Sequence, residues 1–152
     1  MNDLAQKLEA ALTPHGFWLL ERKKGSICSA IWKRQTIDTN RAVALVKISS
    51  VPVDLSSLLK EVKKEAAFRC GFFPFFYGLG TQVVFLVTGA QPEEEELGDY
   101  VDKIDNQWSI IQSIFVVHVD VGLVSSARTW GQLITGKYQD SIAAVLRRPN
   151  AT

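Results

Sequence analysis

Three features of the sequence predict an α/β fold built on a mixed five-stranded sheet. Gln82–Val87 (QVVFLV) is a continuous apolar run rich in β-branched residues, the pattern of a strand covered on both faces. Ile114–Val121 (IFVVHVDV) is a second run of that kind. Between and around the strands, apolar residues recur at helical spacing. The resulting order is α-β-β-β-α-β-α-β-α, with helices packed on the faces of the sheet. The third, fourth and fifth strands are each separated by a helix and are expected to be parallel neighbours with right-handed crossovers. The first two are expected to add as an antiparallel hairpin. A chain of 152 residues fits one domain, 1–152, with room for a sizeable core.

The elements follow in order. Asn2 or Asp3 can cap a first helix whose stripe is Leu4, Leu8, Ala11 and Leu12, and Pro14 and Gly16 stop it. Phe17–Arg22 and Ile27–Lys33 flank Lys23-Lys24-Gly25-Ser26, which reads as a hairpin. A polar segment, Arg34–Asn40, leads to a third strand at Ala42–Ile48. Asp54 can cap a second helix that buries Leu55, Leu58, Leu59, Val62 and Ala66, and Gly71 ends it. Pro92 and Glu93–Glu96 open a third helix with the stripe Leu97, Tyr100, Val101, Ile104, Trp108 and Ile111. Gly122–Thr135 is mixed and can hold a short helix, and Lys137–Arg148 reads as the last one.

Composition narrows the function classes. Lys plus Arg total 17 and Asp plus Glu 16, so there is no global basic footprint for nucleic acid. The charge is uneven: residues 1–50 carry 8 basic and 4 acidic side chains, residues 71–110 carry 1 and 7. An acidic helix on a mixed surface accounts for this most simply, a partner-binding face next. From Cys70 to Pro92 no residue is charged, but Pro74, Gly71, Gly78, Gly80 and Gln82 interrupt the run, so no membrane-spanning helix is expected. The start of the chain lacks a basic stretch followed by an apolar core, and no signal peptide is expected there. Two cysteines, Cys28 and Cys70, without a CxxC pattern predict packed thiols in a reduced, cytoplasmic setting, with no metal and no cofactor.

Candidate chemistry gathers where open sheets place it, beyond the carboxyl ends of parallel strands. Lys47, Ser49, Thr88, His118 and Asp120 fall there. His118 and Asp120, two apart in a strand, are expected to share a face as an acid/base pair. No nucleophile stands in an identifiable relation to them, and a hydrogen-bonded pair at the sheet's rim is the simpler expectation. Gly131–Tyr138 (GQLITGKY) nearly matches the phosphate loop GxxxxGK[ST]. It ends in a phenol where a small hydroxyl should meet Mg²⁺, so the glycine is read as a turn. Glu93–Glu96 is read as a solvated helix start, not a metal site, because consecutive side chains diverge. Phe72, Phe73, Phe75, Phe76 and Tyr77 form an aromatic knot. It plugs the end of the sheet, or lines a ligand pocket or a partner surface.

The order helix, three strands, helix, strand over residues 1–88 resembles the core of restriction-endonuclease-like nucleases. The resemblance implies an aspartate and a carboxylate-x-Lys triplet on the third strand. The triplet position here reads Leu45-Val46-Lys47, and Asp38 stands where the first aspartate would. The missing carboxylate removes a key ligand for two-metal hydrolysis and points to a copy without nuclease chemistry. The sequence is therefore read as a non-catalytic binding domain whose partner is another protein or itself. The alternatives are a degenerate nuclease or other enzyme using Lys47, His118 and Asp120, and a small-molecule binder using the aromatic knot.

Overall fold

A computed structural model describes residues 2–37, 39–71, 78–90, 109–128 and 138–147. Helix α1 (Asn2–Leu12) runs into a 3₁₀ turn (Thr13–His15) and a two-residue strand β1 (Trp18–Leu19). Strands β2 (Cys28–Gln35) and β3 (Thr39–Ile48) follow, then helix α2 (Leu55–Cys70) and strand β4 (Gly78–Val87). Strands β5 (Ser109–His118) and β6 (Gly122–Arg128) and helix α3 (Tyr138–Arg147) complete the described residues.

The six strands form one sheet in the order β1-β2-β3-β4-β5-β6. β3, β4 and β5 are parallel, as expected, and β1, β2 and β6 add antiparallel. The parallel trio is buried because helices cover both faces. Leu55, Leu59, Val62, Ala66 and Cys70 of α2 pack on one face, against Ala44, Val83 and Phe85. Leu4, Leu8 and Leu12 of α1, with Tyr138, Ile142 and Leu146 of α3, pack on the other, against Val43, Val84 and Phe115. The stripes read from the sequence for the first two helices are thus the buried ones, with Ala11 and Leu58 at their margins.

Local chemistry sets the ends of α2. The Asp54 carboxylate accepts from the Ser57 backbone N–H at 3.2 Å and from the Ser57 hydroxyl at 2.6 Å, which holds its pKa below the usual value. Gly71 closes the helix at φ 69°, donating its N–H to the Ala67 carbonyl. A clasp fastens α2 to the loop between β1 and β2. Glu65 accepts from the Ser26 hydroxyl and, at 3.0 Å, from the Ile27 N–H. Arg69 pairs with Glu65 at 3.4 Å and donates to the Glu21 carbonyl.

The fold departs from the sequence reading in four places. The sheet has six strands, because Gly122–Arg128 is a strand pairing with β5 and not the start of a helix. β5 begins at Ser109, so Ile111 lies in a strand and not in a helical stripe; the rest of the expected third helix, 92–108, lies outside the described residues. β5 ends at His118, and the turn that follows leaves Val119 43% and Val121 58% exposed. The expected strand at Phe17–Arg22 shrinks to Trp18–Leu19. No helix among the described residues is long and apolar enough to cross a membrane.

Candidate functional site

The register separates the side chains singled out at the carboxyl ends of the parallel strands. Lys47 pairs with Leu86 and Leu86 with Val117, both on the face covered by α1 and α3. His118 pairs with Val87, on the α2 face. Lys47 and His118 therefore stand on opposite faces of the sheet. Asp120 is in the turn beyond the strand, so it shares no strand face with His118. The contact between them is made by the Asp120 backbone, whose N–H donates to His118 Nδ1 at 3.3 Å. An accepting Nδ1 puts the proton on Nε2, which donates to the Gly89 carbonyl at 2.7 Å. Both ring nitrogens are thereby occupied by backbone, and the Asp120 carboxylate is not a partner.

The rest of this end is stitched in the same way. Thr88 N–H donates to the Ile48 carbonyl at 3.0 Å, Gly89 N–H to the Ser49 carbonyl at 2.7 Å, and Val119 N–H to the Val87 carbonyl at 3.1 Å. A Cβ at Gly89 would run into the Ser49 carbonyl oxygen, so glycine is what lets the two segments meet. In the triplet Leu45-Val46-Lys47, Leu45 is buried in the core and Lys47 is exposed. Asp38 lies outside the described residues.

Phe72, Phe73, Phe75, Phe76 and Tyr77 lie outside the described residues, as do Glu93–Glu96 and 131–137. Tyr138, the last position of the near-match to the phosphate loop, is described: it opens α3 and is buried. Cys28 and Cys70 are buried free thiols. Burial pushes Cys28 up to about 12, with Glu65 adding to the effect, and pushes Cys70 up to about 11. Neither is a nucleophile at neutral pH. Among the described residues, no group of three His, Cys, Asp or Glu side chains could hold a metal ion.

A different cluster, which the sequence reading missed, lies at the opposite end of the sheet under α3. Tyr138 is its hub. Its hydroxyl donates to Gln112 Oε1 at 3.2 Å, and its ring meets Phe17 at 5.0 Å and His15 at 6.4 Å between centroids. The Arg41 guanidinium carbon is 5.9 Å from the same ring. Burial raises the Tyr138 pKa, and the neighbouring Arg41 works against that rise. Arg34 pairs directly with Arg41 across β2 and β3. Its Nε comes within 4.0 Å of where a Cβ on Gly16 would stand. His15 Nε2 and Ser141 Oγ, 3.0 Å apart, tie the 3₁₀ turn to α3 beside them.

Two features of this cluster are costly. Arg34 and Arg41 are half-buried like charges set side by side, and among the described residues neither forms an ion pair. Gln82 on β4 is fully buried on the same face with its amide against the Tyr138 hydroxyl, and neither its Nε2 nor its Oε1 makes a hydrogen bond of good geometry. Ser113, which pairs with Gln82, has an unpartnered hydroxyl too. A buried polar group left unmade costs about 1–3 kcal/mol. The Gln112 amide packs directly on Gly80 beside them, where a Cβ would strike it. The sequence held one usable signal. Gln82 is a polar residue inside an otherwise apolar run, and Arg34 and Arg41 flank the β2–β3 turn so that hairpin pairing brings them opposite each other.

Compared with known proteins, the chain matches no protein-family model, no curated protein and no solved structure.

Proposed function

We propose that the chain is a non-catalytic binding domain that pairs with a second copy of itself along the outer edge of β6. The observation that carries this reading is the character of that edge. Sheet edges are ordinarily blunted with lysine, proline or a bulge that discourages pairing. From Gly122 to Ala127 the sequence is GLVSSA, with no charge and no proline, so a bulge at Val124, where Val116 and Val117 meet Ser125 and Leu123, and the terminal Arg128 are all that interrupts the edge. Among the described residues, β6 pairs on its β5 side only. An open groove of about 490 Å³ runs along it, lined by Leu123–Ser126 and Arg147.

A second copy is favoured over an unrelated strand by symmetry. Two-fold pairing sets an edge against itself, so like charges would meet. An antiparallel pair centred on Ser125 sets position 128 of each copy opposite Gly122 of the other, so in register like charge does not meet like. The non-catalytic half of the proposal is supported by the strand ends, where backbone partners occupy His118 and where Lys47 stands on the other face.

The test is the oligomeric state by native mass spectrometry and light scattering. A dimer is expected, converted to monomer by Ser125→Lys with the far-UV circular dichroism unchanged. A wild-type monomer at tens of micromolar, or a dimer indifferent to Ser125→Lys, would overturn the proposal.

A further inference from the structure

We propose that the cluster under α3 is a binding site for a small ligand bearing a phosphate group, held by Arg34, Arg41 and Gln82. The site is distinct from the β6 edge and stands whether or not the chain pairs with itself. Two observations converge on it. The first is the arginine pair. Two guanidiniums opposed across a hairpin, with no carboxylate partner among the described residues, repel each other in the empty protein. An oxyanion between them converts that repulsion into two charge-assisted forks, the geometry arginine is suited to.

The second is Gln82. Its amide is fully buried against the Tyr138 hydroxyl, and neither atom makes a hydrogen bond of good geometry, so Nε2 can donate to an oxyanion and Oε1 accept from a hydroxyl of the same ligand. The neighbouring amide, Gln112, is already committed to Tyr138. Tyr138 therefore acts as the floor, oriented by Gln112 and backed by Phe17, and leaves the anion to the arginines and Gln82. Gly80 fixes that commitment, because only its absent side chain lets the Gln112 amide lie flat against β4.

A site of this kind trades stability of the empty protein for binding, and that trade gives the test. The experiment is thermal melting and calorimetric titration of the full chain, with inorganic phosphate, glycerol phosphate and a nucleoside monophosphate. Each is compared with chloride at matched ionic strength. Wild type is expected to show saturable binding and a rise in Tm. Gln82→Leu, close in volume and apolar, should melt higher than wild type in chloride and bind at least tenfold more weakly. Arg34→Gln with Arg41→Gln should melt no lower than wild type in chloride and lose the phosphate response.

The ligands separate the sources of the group. An ester that binds more tightly than inorganic phosphate assigns the site to a larger molecule, and equal affinity assigns it to free phosphate. The proposal is overturned if no phosphate compound binds saturably, or if the arginine double variant responds as wild type does. It is equally overturned if Gln82→Leu lowers Tm in chloride, because the amide is then a structural group. The β6 pairing has its own readout in oligomeric mass, so the two proposals fail separately.

Discussion

The two ends of the parallel strands are built on opposite rules. At the carboxyl end, Ile48, Ser49 and Val87 each give a carbonyl to a neighbouring backbone N–H, and His118 spends both ring nitrogens on main chain. At the amino end, Gln82 and Ser113 are buried without hydrogen bonds of good geometry and two arginines face each other across a hairpin. Both ends are polar in sequence. What separates them is whether the polar atoms are satisfied. A satisfied polar cluster explains itself as structure, whereas an unsatisfied one stays costly until something binds.

The largest effect that would sharpen this contrast is alkaline. Both thiols have folded pKa values raised above the ordinary 9.0, Cys28 to about 12 and Cys70 to about 11. Their contribution is complete below pH 9 and is lost as pH rises through 11 and 12, because the unfolded chain ionises first. A thiol whose folded and unfolded values lie one pH unit apart contributes about 1.4 kcal/mol. Several kcal/mol should therefore disappear by about pH 12, measured as denaturant midpoints along a pH series. Cys28 pairs with Val46 near the closed end, while Cys70 finishes α2 at the end where β4 begins. Alkylation followed by peptide mapping should therefore find Cys70 modified before Cys28. The reverse order would mean that the stitched end opens first.

Gly89→Ala comes next. The added methyl meets backbone, which cannot swing aside, so a loss of about 1–3 kcal/mol is expected by denaturant unfolding. A neutral result would show that the carboxyl end is looser than its hydrogen bonds imply. His118→Ala should cost less, about 1–2 kcal/mol, from the orphaned Gly89 carbonyl and the small void. It should leave phosphate binding and dimer mass untouched. Any effect of His118 on ligand binding would join the two ends and end the comparison.

Much of the fold was legible because it rests on period and punctuation. The stripes of α1 and α2, the Asp54 cap, the Gly71 stop, the buried run of β4 and the presence of a last helix each state themselves locally. β6 did not, because an edge strand with one covered side carries little apolar signal: GLVSSAR reads as part of a mixed segment able to hold a short helix. Ile111 fell into a helical stripe because an irregularity where Thr81 and Gln82 meet Ile111 and Ser113 breaks the alternation of β5. The pairing of His118 with Asp120 assumed a strand three residues longer than the one that forms. The candidate site was the least legible part. Arg34 and Arg41 look like a polar connection until the register sets them opposite each other, and Gln82 looks like a blemish in a strand until its burial is known.

The clasp between α2 and the β1–β2 loop bears on synthesis. The Ile27 amide and the Ser26 hydroxyl take their partner from Glu65, 38 and 39 positions later, and the Glu21 carbonyl takes its own from Arg69, 48 later. On a ribosome the hairpin emerges well before those partners do. It must wait, its loop bonded only to water, until α2 has left the exit tunnel and turned back over it. The amino-terminal third of the nascent chain is thus completed by a helix made after it.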